Sequence, residues 1–314
     1  MKHQRGGAIL MAMLVVTLVA TLCMVTVQQQ WRSIEVESAE RSSVQARWLL
    51  RAAADWVRLI LSEDARNNDV DHLGEPWTVN LQQAPISSLL GSHIQGIYLS
   101  GRIEDLQARL NVSNLVQNDQ IHAPTLLAFS RLFEALHLSE LELRLLTDQL
   151  LRLKTASNTR ANSTAISTAI TSWPLTPSST EQLAWLGLSA DAITRLQPYV
   201  VVLPEYTPVN LNTASALVLH ASIVGLDISQ ANRVVQLRMQ NHFKSLEDVV
   251  QAIEQPSLRL NDSMYSLSSS YFASHMRITI NSIHRQEVNI MRREGLLVKS
   301  LWTASESSLD VVTE

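Results

Sequence analysis

Helix-breaking residues are missing from the first quarter of this chain: between Gly7 and Gly74 there is no glycine and no proline. That absence points to one uninterrupted helix, because both residues end or bend helices and neither is available to do so. It falls just where a secretory signal peptide would need an extended cleavage site. Cysteine is also scarce. The 314 residues contain one, Cys23, so no intramolecular disulfide can form and the chain is unlike a small disulfide-stapled secreted scaffold. A strong excess of positive charge is lacking as well: the net charge of -4 argues against a protein built to neutralise phosphates.

What the N-terminus does contain is a short basic leader, Met1 to Gly7, with Lys2 and Arg5, followed by Ala8 to Val27 without a single charge. Only Thr17, Thr21 and Thr26 interrupt that apolar run. At about 1.5 Å per residue it matches a hydrocarbon layer of roughly 30 Å. The basic residues lie on the short side, so the positive-inside rule keeps the N-terminus cytoplasmic and exports the rest. Past the membrane Ala46, Leu49, Leu50, Ala53, Val57, Ile60 and Leu61 recur at helical spacing, which predicts an amphipathic continuation packed on a globular domain. Trp48 and Trp56 on the same helix are expected in its core.

The exported part opens with a turn at Asp71-His72-Leu73-Gly74-Glu75-Pro76-Trp77. Short strands are predicted at 93–99 and 102–110, and helix from Thr125 to Leu153. The Ser-, Thr-, Asn- and Ala-rich stretch from Lys154 to Thr171 reads as a flexible loop. Two similar helix–glycine turn–helix units follow, around Gly187 and Gly225, and three antiparallel strands are expected at 271–280, 286–292 and 296–302. Both strand groups can join one sheet against the long helix, with the helices between them forming a separate lobe.

The leader, the apolar run and the continuous helix resemble the type IV pilin superfamily. That resemblance implies cleavage by prepilin peptidase after Gly6, leaving Gly7 first, with a cut after Gly7 as the alternative. It also implies a glutamate at the fifth mature position, where this chain has Met11 (Ala12 for the alternative cut). In pilin-like filaments that glutamate pairs with a neighbouring N-terminal ammonium, and a lone charge in a dry bundle is costly. A subunit without it fits an end of a filament better than its shaft. Gly6 and Gly7 are therefore the expected processing residues, and Leu10, Met11 and Leu14 the expected assembly residues.

Three further segments narrow the resemblance: the turn 71–77; Arg102-Ile103-Glu104-Asp105 with Arg109 to Leu115; and Pro208-Val209-Asn210-Leu211-Asn212-Thr213-Ala214. In this order, and with the missing glutamate, they resemble the general secretion pathway protein K family, the large minor pseudopilins of type II secretion systems. The resemblance implies an α+β fold: a pilin-like long N-terminal helix packed on an antiparallel sheet, with a large inserted all-α lobe. Expected boundaries are 1–6 for the leader, 7–70 for the helix, 71–115 and 261–314 for the α/β domain, and 116–260 for the insertion. It implies a Gram-negative inner-membrane protein, single-pass, with its bulk in the periplasm. The implied partners are minor pseudopilins of I and J type, the major pseudopilin and prepilin peptidase, and the implied role is priming or capping the pseudopilus tip.

No catalytic constellation stands out: there is no Gly-x-Ser-x-Gly elbow, and the nine histidines show no paired metal-ligand spacing. The chain is expected not to be an enzyme and to need no cofactor. His72 reads as an exposed turn residue. The resemblance implies a calcium-binding acidic loop in the lobe, but the corresponding stretch, 147–158, has Asp148 as its one carboxylate, too few for an ion that takes six to eight oxygens. Residues 210–214, 224–226 and 243–248 resemble a helix-hairpin-helix unit. Asp227 stands where the second turn glycine would be, and Arg233, Arg238 and Lys244 are few, so no nucleic-acid binding is expected. A membrane-anchored nucleic-acid receptor of competence type and a type IV pilus minor pilin are the alternatives.

Overall fold

The computed structural model describes residues 5–86, 96–162, 176–255, 258–280 and 283–306, with residues 5, 6, 157–162 and 306 described by backbone alone. The breaker-free segment forms one α-helix, α1 (Arg5–Asn67), about 95 Å long at 1.5 Å per residue. Its first half is long and apolar enough to cross a membrane, and no other part of the described chain covers it. The three threonines there donate to the carbonyls of Leu14, Leu18 and Cys23 at 3.0, 2.8 and 2.8 Å. Their hydroxyls are thus satisfied inside the helix, as a lipid environment demands.

The second half of α1 packs its predicted stripe on a sheet. Ala46, Leu50, Ala53, Val57 and Leu61 are buried with Trp77, Ile97, Leu99, Phe272, Met276, Ile278 and Met291. Trp48 and Trp56 are not in this core, contrary to expectation: they are 68% and 49% exposed. Trp48 stands two residues from both Ala46 and Leu50, a rotation of about 200° that puts it on the far side of the helix.

The sheet has five antiparallel strands among the described residues: β1 (Leu81–Pro85), β2 (Ile97–Asp105), β3 (Tyr271–Ile280), β4 (Ile283–Glu294) and β5 (Leu297–Glu306), neighbours in that order. The last three fall where alternation placed them. Within the described residues the two strands expected at 93–99 and 102–110 join in one strand, β2, which ends at Asp105. Residues 106–108 form a 3-10 turn, Leu110 pairs with Val200 instead, and positions 93–95 lie outside the described residues. Gly101 does not break β2, because it passes over Met276: a β-carbon on residue 101 would meet the Met276 sulfur. The polar edge strand β1 was not expected. Its sequence carries no apolar alternation, and its pairing with β2 is irregular between Leu81 and Ala84.

The helical lobe is inserted between β2 and β3. It comprises α2 (Ala123–Ala135), α3 (Glu140–Asn162), α4 (Ala190–Leu196), α5 (Ala216–Ser222), α6 (Ile228–Gln240) and α7 (Leu246–Ile253). The expected single run 125–153 divides at His137, whose φ is +53°. The expected loop at 154–171 is helical as far as Asn162, and 163–171 lie outside the described residues. The repeat is present: Gly187 and Gly225, at φ +96° and +85°, each precede by two residues a helix N-cap, Ser189 and Asp227. The core of the lobe gathers side chains from Leu110 to Leu267, with the 112–115 segment packed against α2 and α3. A small third cluster, Leu106, Val201, Leu203, Tyr271 and Ala273, seats the lobe on the sheet.

Candidate functional site

The three sequence segments that are far apart in the chain converge where the end of α1, the sheet and the lobe meet. At the centre lies Asp105, the last residue of β2. Burial pushes its carboxyl up, and four donors answer it: Gln107 N at 2.8 Å to Oδ1, and Asn210 Nδ2, Thr213 Oγ1 and Ser269 Oγ at 3.0, 2.5 and 2.6 Å to Oδ2. Asn210 Nδ2 also donates to the Asp71 carbonyl at 3.2 Å. One carboxylate therefore ties the sheet to the lobe and, through Asn210, to the turn after α1.

The neighbouring asparagines act as backbone substitutes. Asn114 donates to the Thr207 carbonyl at 2.7 Å and accepts from Thr207 N at 3.1 Å. Asn212 does the same with Phe243, at 2.9 and 3.0 Å. Asn111 accepts from Leu203 N and donates to the Glu205 carbonyl. A primary amide presents the same donor and acceptor as a peptide, so buried asparagines satisfy irregular backbone that no strand can pair.

Beside Asp105 lies a second charged group. Arg293, near the end of β4, donates to both Asp71 oxygens at 2.6 and 2.5 Å, to Asp64 Oδ2 at 3.1 Å and to the Ser269 carbonyl at 2.8 Å. Its guanidinium lies 4.8 Å over the Phe272 ring. Glu75 completes the group: its Oε2 accepts from Trp77 Nε1 at 2.6 Å and His72 N at 3.0 Å, while its buried Oε1 has no donor. Burial raises Glu75 to about 7 and Asp71 to about 6; Asp64 and Asp71 reinforce the rise in Glu75, and Arg293 opposes that in Asp71. His72 is not the exposed turn residue expected. It stacks on His242 of the lobe, 3.8 Å between centroids and 6° from parallel, and burial, then His242, lowers its pKa.

Oxygens of Asp64, Asp71 and Glu75 lie within 4.8 Å of one another, a spacing a cation can fill. The cation there is the Arg293 guanidinium. The stretch 147–158, where the resemblance implied a calcium loop, lies wholly inside α3, and Asp148 is exposed on it. A straight helix with one carboxylate does not converge the oxygens calcium needs, so the residues present do not fit that ion.

The residues expected to act in processing and assembly are not part of this joint. Gly6 and Gly7 lie in the first turns of α1, and Leu10, Met11 and Leu14 are exposed on its apolar half. In the helix-hairpin-helix-like unit, Asp227 caps α6 in a reciprocal box with Gln230. Arg233 is paired with Glu254, and Arg238 is buried on the Leu211 carbonyl at 2.6 Å. Sequence reasoning missed Asp64, Ser269 and Arg293. Two were detectable: Asp64 continues the buried stripe three residues beyond Leu61, and Arg293 shares the inward face of β4 with Met291.

Comparison with known proteins agrees with this architecture. Two family models, each described as Type II secretion system (T2SS), protein K, match residues 108–205 and 209–268, together about half of the chain. The type II secretion system protein K of Pseudomonas aeruginosa is 26% identical over 307 residues, covering 93% of this chain and 90% of that protein. The one from Aeromonas hydrophila is 27% identical, covering 87% and 88%. A chain of the crystal structure of the GspK-GspI-GspJ complex from the enterotoxigenic Escherichia coli type 2 secretion system superposes with a TM-score of 0.61 at 20% identity. That match covers 86% of this chain and 99% of the other. With the long helix, the antiparallel sheet, the inserted lobe and the matched segments in register, this chain belongs to the type II secretion system protein K family.

Proposed function

We propose that this chain is a minor pseudopilin that primes or caps the tip of the type II secretion pseudopilus together with minor pseudopilins of I and J type. The observation that carries this reading is the state of α1. Its first half is uncovered and apolar, with Met11 where a carboxylate would be. Beyond that apolar run the helix exposes Trp31 and Ile34, and its second half exposes Trp48, Trp56 and Leu59 away from the sheet. A monomer leaves such a stripe wet at a cost; helices of partner subunits would cover it. The similarity to a chain from a GspK-GspI-GspJ complex supports partners of that kind.

In this reading, prepilin peptidase cuts after Gly6 and Gly7 becomes the N-terminus. Before assembly the first half of α1 holds the protein in the inner membrane, leader inward and domain in the periplasm. On assembly Leu10, Met11 and Leu14 join a bundle of partner helices. Lacking the pairing carboxylate, the subunit is disfavoured in the shaft, where each glutamate answers a neighbour's ammonium. The lobe, seated beyond the end of α1, blocks a further subunit above it, so growth proceeds from below. The role is structural: the subunit starts or ends a filament that helps to move folded proteins across the outer membrane.

Co-purification tests the reading. The full chain, solubilised with its co-expressed candidates, is expected to recover the I- and J-type subunits together. Recovery of the major subunit alone would overturn it. N-terminal sequencing of the recovered chain is expected to begin at Gly7.

A further inference from the structure

We propose that the Asp64–Asp71–Glu75 group at the joint is a proton-binding site: Glu75 holds a hydrogen on Oε1 in the neutral joint, and losing it to solvent loosens the lobe from the end of α1. The case starts from the supply of donors. Arg293 Nη1 donates to Asp64 and the Leu61 carbonyl, and Nη2 to Asp71 and the Ser269 carbonyl; none of these hydrogen bonds reaches Glu75. Trp77 Nε1 and His72 N both go to Glu75 Oε2. That leaves Oε1, on a side chain 3% exposed, with no donor at all.

His72 does not fill the gap. Its Nδ1 accepts from Gly74 N at 3.1 Å, which fixes the neutral ring with its hydrogen on Nε2 and disfavours a second proton on Nδ1. Nε2 is 3.7 Å from Oε1, beyond hydrogen-bonding range. An ionised Glu75 would therefore place a buried charge, with one oxygen unanswered, beside two other carboxylates, and the guanidinium nearby is committed to Asp71 and Asp64. A proton on Oε1 removes that charge. The groups facing Glu75 are Asp64 from α1, Asp71 and His72 from the turn, Arg293 from β4 and His242 from the lobe; Asp105 lies behind Asn210. None of them places a hydrogen-bond donor on Oε1.

The location gives the proton its consequence. Asp71 N donates to the Leu267 carbonyl at the lobe's edge, the Asp71 carbonyl accepts from Asn210, and His72 stacks on His242. Repulsion among the three carboxylates thus acts on the contacts that hold the lobe. Burial raises Glu75 to about 7 and Asp71 to about 6, from ordinary values of 4.5 and 3.8. Raised folded-state values mean that the folded joint binds protons more tightly than the unfolded chain. The stability they confer is complete below the unfolded values and is lost as pH rises through about 6 and then 7.

The test is unfolding of the full chain in detergent from pH 4.5 to 8.5. Between pH 6 and 7, above the range of Asp71, the wild-type unfolding constant is expected to rise several-fold, toward the limit of about tenfold per pH unit for one proton, and then level off. Glu75→Gln, which offers an N–H in place of the held proton, is expected to change less than about twofold over the same interval. Equal slopes in the two proteins would overturn the proposal. A measurement without substitution stands beside it: infrared absorption of the folded wild type should show a protonated-carboxyl band at pH 5.5 that disappears by pH 8.5. Absence of that band would also overturn it. So would stabilisation of the wild type, but not of Glu75→Gln, by added magnesium or calcium, which would make the group a metal site instead.

Discussion

Arg293→Met separates the joint's electrostatics from its packing. Methionine keeps much of the aliphatic length against Phe272 while removing the cation that answers Asp71 at 2.5 and 2.6 Å and Asp64 at 3.1 Å. Arg293 is 9% exposed, so water cannot take its place. Removing one partner of a buried ion pair costs about 3–5 kcal/mol, because a desolvated charge is left behind. Two carboxylates are orphaned here, and the Ser269 carbonyl loses a donor as well, so a value in the upper part of that range is expected at pH 8. The cost must depend on pH. Without Arg293 the folded-state value of Asp71, already near 6, rises further, and protonation at low pH removes the uncompensated charge. The penalty is therefore expected to fall by about half at pH 5. Chemical unfolding of the detergent-solubilised chain, followed by tryptophan fluorescence with buried Trp77 as the local reporter, reads both quantities. A loss below about 1 kcal/mol, or one equal at pH 5 and pH 8, would refute the argument that Arg293 acts as the joint's counter-charge.

Asp105→Ala removes the acceptor shared by Asn210, Thr213 and Ser269; at about 1–3 kcal/mol per buried unsatisfied donor, at least 2 kcal/mol of stability should be lost by the same assay. Gly101→Val should destabilise the domain by clashing with Met276, and Met276→Ala should restore part of the loss, read as a positive coupling in a double-mutant cycle. Trp48→Ala and Trp56→Ala, on the exposed side of α1, should change the unfolding free energy of the isolated chain by about 0.5 kcal/mol or less yet reduce recovery of the I- and J-type subunits several-fold. The 147–158 stretch should give no stoichiometric calcium-binding heat in calorimetry, and Asp148→Asn should leave any calcium response of the chain unchanged.

The coarse fold was legible because its signals are periodic. The missing glycines and prolines marked α1, the stripe from Ala46 to Leu61 marked its buried face, and a partial alternation marked β3 to β5. Elements without a period were harder to see. Strand β1 is held by the edge of β2 rather than by its own polar side chains, and β2 runs on through Gly101, which faces Met276 across the sheet, where two strands were expected. Trp48 and Trp56 were expected inside on composition, although their phase on the helix places them outside. The joint was half visible. The segments around Asp71, Asp105 and Asn210 stood out as motifs, but nothing local in the sequence says that they meet. The phases of Asp64 on α1 and Arg293 on β4 mark both as inward-facing, but only long-range packing shows that they meet and complete the charge balance.

The claim that this subunit sits at a filament end is tested most directly by cross-linking in assembling cells. With Cys23 replaced by serine, single cysteines at Trp48 and Trp56 would be paired with cysteines on the spine helices of the other pseudopilins. The account predicts one discrete product with each of the I- and J-type subunits and, at most, one junction to the major subunit from below. A ladder of products with major subunits both above and below would place the chain in the shaft and contradict it.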